Sequence, residues 1–159
     1  MPGNRRSALV LAMCVACAAA AAQGALAARH DVQEPAGTLS VWDGVYSRSQ
    51  ASRGLSEYTK SCERCHGSDM TGSATDEVPS LVADAFLFHW GGRTVLDLHA
   101  RIGKTMPADA PGSVDAKAYL DIVAYLLEAN GFPQGVQDLD RSRLGAIVIE
   151  KASSRQPRE

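Results

Sequence analysis

Residues 62–66 read Cys-Glu-Arg-Cys-His, and few five-residue strings limit a fold as tightly. Two thiols with two residues between them, and an imidazole directly behind the second, serve three chemistries that demand different surroundings. A structural zinc site needs four ligands, and Cys62, Cys65 and His66 stand crowded together with no second cysteine pair beyond residue 27. A thioredoxin-like redox pair belongs at the start of a helix after a strand, where the helix dipole lowers a thiol pKa. Here the pair falls at the end of a helical pattern, with no βαβ unit around it. The third chemistry is haem attachment. The thiols add across two vinyl groups of one haem, and the histidine falls beneath the ring with Nε2 toward the iron.

A second pair at the same spacing, Cys14 and Cys17, has Ala18 where the first has His66. It lies in a segment of another kind. Arg5 and Arg6 precede an apolar, alanine-rich run from Ala8 to Ala22, followed by "QGALAARH". These are the charged, apolar and A-x-A regions of a secretory signal peptide, with Ala25 and Ala27 flanking the cut. The expectation is a cleaved signal at 1–27 and an exported, periplasmic chain. A membrane anchor competes, but the run is short and rich in alanine for a span. A lipid anchor needs a small residue before its cysteine and an aliphatic one three before. Cys17 has Ala16 but Cys14 at those places, and Cys14 follows Met13.

With that segment removed, Cys62 and Cys65 alone remain, in an oxidising compartment. They must form a disulfide, a metal site or a covalent attachment point. Arg5 and Arg6 leave too, so 16 bases become 14 against 18 acids, a net charge of −4. An acidic balance gives no footprint for nucleic acid. At 45% hydrophobic and 21% charged, the composition is that of an ordinary soluble domain.

The remaining pattern is helical. Residues 28–46 mix charge, Pro and Gly as a lead-in, anchored near its end by Val41, Trp42, Val45 and Tyr46. Ser47 followed by Gln50 fits a capping box, opening a helix that runs to the cysteines with Ala51, Leu55, Tyr58 and Cys62 on one stripe. Residues 67–80 are loop by composition. A short helix through "LVADAFLF" ends at Gly91-Gly92, and Thr94 caps another with Val95, Leu98 and Ile102 on one face. "TMPADAPGS" breaks that helix. Ser113 caps the strongest one, from Val114 to Ala129, which Asn130-Gly131 stops. The expected architecture is all-α, with about four to five helices around one covalent haem. The domain covers 47–135, and an extension covers 136–159, whose apolar "GAIVI" at 145–149 favours packing.

A haem bound by His66 needs a second axial ligand. Beyond residue 27 the methionines are Met70 and Met106. Met70 lies four residues past His66 and belongs on the same side of the ring; Met106 lies 40 residues on, in a Pro-bounded loop able to reach the opposite face. A neutral, soft thioether favours Fe(II), so a His/Met pair raises the potential and suits electron transfer. Met106 as a buried gap-filler is the bland reading. His99 and His89 are rival ligands, either of which would lower the potential. Val78, Leu81, Phe86, Leu87, Leu96, Leu98, Ile102 and Tyr119 are wall candidates, though core at helical spacing in any case. Trp90 and Arg93 carry donors for a propionate.

On Cys62, Cys65, His66 and Met106 the chain resembles class I c-type cytochromes over roughly residues 46–133. "GLSEYTKSCERCHG" is similar to the family's G-x-x-x-[FY]-x-x-x-C-x-x-C-H signature. The resemblance implies that Gly54 lies where the N- and C-terminal helices cross, with Tyr58 and Tyr125 packed in the joint. "VPSL" looks like the family's P-x-L segment. By that likeness the Pro79 carbonyl accepts from His66 Nδ1, and Leu81 lies against the haem. The string from Met106 to Gly135 is similar to small secreted cytochromes and to cytochrome domains associated with quinoprotein dehydrogenases. Four lysines (Lys60, Lys104, Lys117, Lys151) do not make the lysine-ringed docking face of mitochondrial cytochrome c.

The resulting expectation is a monomeric, monohaem electron carrier of the periplasm with no catalytic residue of its own. It would meet redox partner proteins, such as a quinoprotein dehydrogenase or a terminal oxidase, without binding nucleic acid or a small-molecule substrate. Two alternatives stand beside it: a haem c subunit of a periplasmic dehydrogenase complex, and a haem enzyme or sensor with an open sixth position.

Overall fold

The structure, a computed structural model, describes residues 39–151. The signal segment at 1–27, the first part of the lead-in and the last part of the extension lie outside the described residues. Among the described residues five α-helices carry the fold, and the strands amount to two residues each, so the all-α expectation holds.

The helices begin where a side chain can take the place of a missing backbone partner. Ser47 accepts the N–H of Gln50 and opens α1, Arg48–Ser61. The expected capping box closes only by half. The Gln50 amide does not turn back to Ser47; it is buried and clasps both backbone groups of Leu139, donating at 3.0 Å and accepting at 2.6 Å. A single turn, α2 (Glu63–His66), follows at once. After the loop come α3 (Ala83–Trp90) and α4 (Val95–Thr105). Thr94 and Asp97 complete a full capping box at α4. The last helix, α5 (Ala116–Ala129), is capped by Asp115 and not by Ser113, so it starts later than its sequence suggests. The Ser113 N–H is engaged by Ala110 at 3.2 Å, which keeps that residue in the preceding turn. Asn130 closes the helix, followed by Gly131 at φ +78°.

α1 crosses α5 at Gly54. A Cβ there would stand 1.9 Å from the Asp121 carbonyl oxygen and 2.8 Å from the Tyr125 Cβ. Only hydrogen fits, and the two backbones meet directly. Tyr58 and Tyr125 fill the joint one turn on, with ring centroids 5.5 Å apart at 60°. This geometry turns the expected stripe: Gln50, Ala51, Gly54 and Tyr58 face inward, while Leu55 is 45% exposed. Leu55 follows the crossing glycine directly, and about 100° of helical rotation carries it away from the contact. Arg53 straps the same joint, meeting the Asp121 carboxylate at 2.9 and 3.1 Å and Asp138 at 2.7 Å.

Residues beyond the last helix belong to the main core. Phe132, Leu139, Leu144, Ile147 and Ile149 are buried together with Val41, Val45 and Tyr46. Strand β1 (Leu39–Ser40) runs parallel to β2 (Ile147–Val148), and Ile149 exchanges backbone bonds with Gly92 and Arg93 at 2.7 and 2.8 Å. Trp42 Nε1 donates to the Glu150 carbonyl at 2.9 Å, and the Tyr46 hydroxyl to that of Phe132 at 2.6 Å. A second backbone crossing, Gly44 on Gly135, seats the segment; a Cβ on Gly135 would stand 1.9 Å from the Gly44 oxygen. Among the described residues no helix is long and apolar enough to cross a membrane.

Candidate functional site

At Cys62 the backbone of α1 leaves helical geometry, at φ −126° and ψ −37°, while its N–H still bonds the Tyr58 carbonyl at 2.8 Å. The chain re-enters one helical turn, with the N–H groups of Cys65 and His66 both reaching the Cys62 carbonyl, at 3.1 and 3.0 Å. That turn sets two thiols three positions apart on one side of the chain, with the imidazole one step further round. Both thiols are free; Cys62 is half-buried and Cys65 exposed.

The environment separates the three chemistries. Burial, with the neighbouring Cys65, pushes the Cys62 thiol up to about 11, the reverse of an activated redox thiol. The pair also follows the C-terminal end of α1, where the dipole disfavours a thiolate. Among the described residues no three His, Cys, Asp or Glu side chains gather as a metal cluster. Two free thiols and a separately directed imidazole fit covalent haem.

His66 is buried, and its Nδ1 lies 3.1 Å from the Pro79 carbonyl oxygen. A carbonyl only accepts, so Nδ1 is the donor in this contact, and in the neutral ring Nε2 then presents its lone pair. The loop is folded to hold that carbonyl in place. Ser73 and Val78 exchange backbone bonds at 2.9 Å each, Gly72 donates to His66 at 3.0 Å, and Leu81 donates to Met70 at 2.8 Å. Leu81 is half-buried against a small cluster of Tyr58, Met70, Ile122 and Leu126, which Cys62 and Ile102 also join. Met70 is therefore core beneath the attachment turn.

Met106 follows α4 directly and is half-buried. Its N–H bonds Ile102 at 2.9 Å, and its carbonyl accepts from the buried Tyr119 hydroxyl at 2.7 Å. Three residues on, the Asp109 carboxylate meets the Arg64 guanidinium at 2.6 Å. Arg64 stands between the two cysteines, so this ion pair brings the Met106 loop to the attachment turn. The hydrogen bond from Arg64 holds the Asp109 carboxyl below its ordinary range.

The rival histidines differ from each other. His89 is exposed, edge-on to Phe88 with centroids 5.3 Å apart. His99 is buried, its ring edge-on to Tyr119 at 6.5 Å, and its Nε2 has no partner among the described residues. Burial, and then the charge of Arg141, lower its pKa.

The wall candidates divide. Phe86 and Leu98 are buried in the main core, Tyr119 is buried under the Met106 loop, and Leu96 is 42% exposed. Trp90 packs against the main core, while the Arg93 side chain is exposed.

Sequence reading misses three groups that shape the site. Asn130, expected only as a helix stop, accepts the Ala83 N–H at 2.9 Å and donates to the Leu81 carbonyl at 2.9 Å, fixing the segment after Pro79 to the end of α5. The Tyr119 hydroxyl and the Arg64–Asp109 pair carry no local signature, since each joins residues distant in sequence.

Residues 49–126 match the family model described as cytochrome c oxidase, cbb3-type, subunit III; the match takes in the attachment turn and the Met106 loop. No curated protein and no solved structure matches the chain.

Proposed function

We propose that this chain, whose residues 49–126 form a c-type cytochrome domain with covalently bound haem c, is an exported single-electron carrier ligated by His66 and Met106. When bound, haem c supplies a one-electron Fe(III)/Fe(II) couple. The chain supplies everything that makes the couple usable. Cys62 and Cys65 give the two thioethers. The Pro79 carbonyl fixes the His66 ring and raises its basicity through Nδ1. Met106 contributes a neutral thioether, which raises the potential relative to a second imidazole. Leu81, Ile102 and the cluster beneath them exclude water, which keeps reorganisation small on electron transfer.

The observation that carries this reading is the 3.1 Å contact from His66 Nδ1 to Pro79, which leaves Nε2 as a ligand beside two free thiols. Export is supported by the signal pattern at 1–27 and by the attachment chemistry itself. The visible spectrum of the oxidised protein tests the ligation. The weak far-red band of methionine-ligated ferric haem is expected in the wild type and lost in Met106→Ala. A wild type lacking that band would leave the sixth position to His99, to His89 or to an external ligand. The intact mass of the exported protein should equal the chain from residue 28 plus one haem.

A second reading has its own support, because the matched family is described as a subunit of a cbb3-type oxidase. In that reading the redox partner is a terminal oxidase or dehydrogenase that retains this chain as a component. Native size after gentle extraction separates the two: a free carrier runs as a monomer, and a subunit runs with its complex.

A further inference from the structure

We propose that the Arg64–Asp109 ion pair is a salt-sensitive latch that holds the Met106 loop against the haem-attachment turn and sets how readily an external ligand displaces Met106. This rests on Met106 as the sixth ligand. Both members are positioning residues, acting on the iron through the loop.

The loop is built to transmit a pull at Asp109. From Met106 it folds back in successive turns: Ala110 donates to Pro107 at 3.1 Å, Gly112 to Met106 at 3.3 Å and Ser113 to Ala110 at 3.2 Å. Asp109 is thereby fixed relative to Met106. At the other end, Arg64 is flanked by Cys62 and Cys65, so two thioethers would anchor its backbone to the haem. Between them the ion pair spans the seam from attachment turn to methionine loop at 2.6 Å.

Two further ties hold Met106 from the protein side: its N–H to Ile102 on α4 and its carbonyl to Tyr119 on α5, the latter buried. These are indifferent to salt. The latch differs, because its side chains are 76% and 60% exposed and sit beside a shallow notch lined by Lys60, Ser61, Arg64, Pro107 and Asp109. An exposed pair contributes little free energy, and salt screens it. A small term still matters here. The apparent affinity for an external ligand scales with the fraction of molecules whose methionine is off the iron. Lys60 lines the same notch and pairs with Glu57 at 2.8 Å. It is the cation nearest to hand if Arg64 is only neutralised, so the decisive variants reverse charge.

The test is an imidazole titration of the purified holoprotein at low and high sodium chloride, read by loss of the far-red band. Wild type should bind imidazole more tightly as salt rises. Arg64→Glu and Asp109→Lys should each bind it about two- to fivefold more tightly than wild type at low salt. In both, the salt trend should invert, because repulsion replaces attraction. The double variant R64E/D109K should regain wild-type affinity and trend. Tyr119→Phe should also loosen Met106 but keep the wild-type salt trend, which separates the latch from general loosening. Single variants that titrate like wild type, or a double variant that fails to restore it, would overturn the latch. If Arg64→Glu yields no holoprotein, Asp109→Lys and the salt trend of the wild type decide alone. Met106→Ala keeps the two proposals apart. Its band and affinity unchanged from wild type would remove the ligation reading, whereas a lost band with inert charge variants removes the latch only.

Discussion

Gly54 stands within 2 Å of a backbone oxygen for any added Cβ, and neither helix can yield without opening the joint beside the attachment turn. Gly54→Ala should therefore destabilise the holoprotein by about 3 kcal/mol or more, the upper end for overpacking, because the clashing atom is backbone. Denaturant unfolding followed by haem absorbance checks this; a loss under 1 kcal/mol would mean that the helices separate at little cost. His99 makes a second prediction at this scale. Its pKa is lowered in the folded chain, chiefly by burial, against about 6.5 when unfolded. The unfolded state therefore binds the proton first. Stability from the buried neutral ring is complete above that value and is lost as pH falls toward the folded pKa. A scan of melting temperature against pH should decline through this window, and His99→Leu should flatten the decline.

Between α1 and α5, the joint is strapped by charge. Asp121 is buried, with its side chain 6% exposed. Burial pushes its carboxyl up, but hydrogen bonds from Arg53 and Lys117 outweigh that and hold it below the ordinary range. Asp138, bonded by Ser47 and Arg53, is lowered too. Folded values below the unfolded value of about 3.9 mean that both contributions are present above about pH 4. They disappear as pH drops through the folded values. Asp121→Asn should weaken this acid sensitivity and cost about 1–2 kcal/mol at neutral pH, discounted because Arg53 is 40% exposed. Equal pH slopes in variant and wild type would show that other carboxylates dominate.

For the molecule as a whole, the segment after α5 decides how much core there is. Leu139, Leu144, Ile147 and Ile149 are buried against Val41, Val45 and Tyr46 from the other end of the domain. Their burial contributes on the order of 6–12 kcal/mol before chain entropy offsets part of it. A small domain's net stability is about 5–15 kcal/mol. Ending the chain before Leu139 should therefore lower the yield of folded holoprotein sharply and cut the melting temperature of any that forms. A truncated protein with wild-type melting would show that the segment only lies on the surface.

Local sequence determined the chemistry that adjacent residues perform. Cys62, Cys65 and His66 need only one turn to act together, so their spacing speaks for itself. The same holds for Ser47 and Thr94 as caps, and for the loops marked by Gly and Pro. Gly54 was legible through the likeness of its surroundings to a known signature, where a missing side chain signals a crossing. Tertiary structure decided what depends on partners far along the chain. It turned Leu55 outward, sent the Gln50 amide to Leu139, moved the cap of α5 to Asp115, and tied Met106 to Tyr119 and Asp109 to Arg64. Such choices follow from which surfaces meet, and a side chain's own sequence neighbours carry no record of a contact made 45 or 89 positions away.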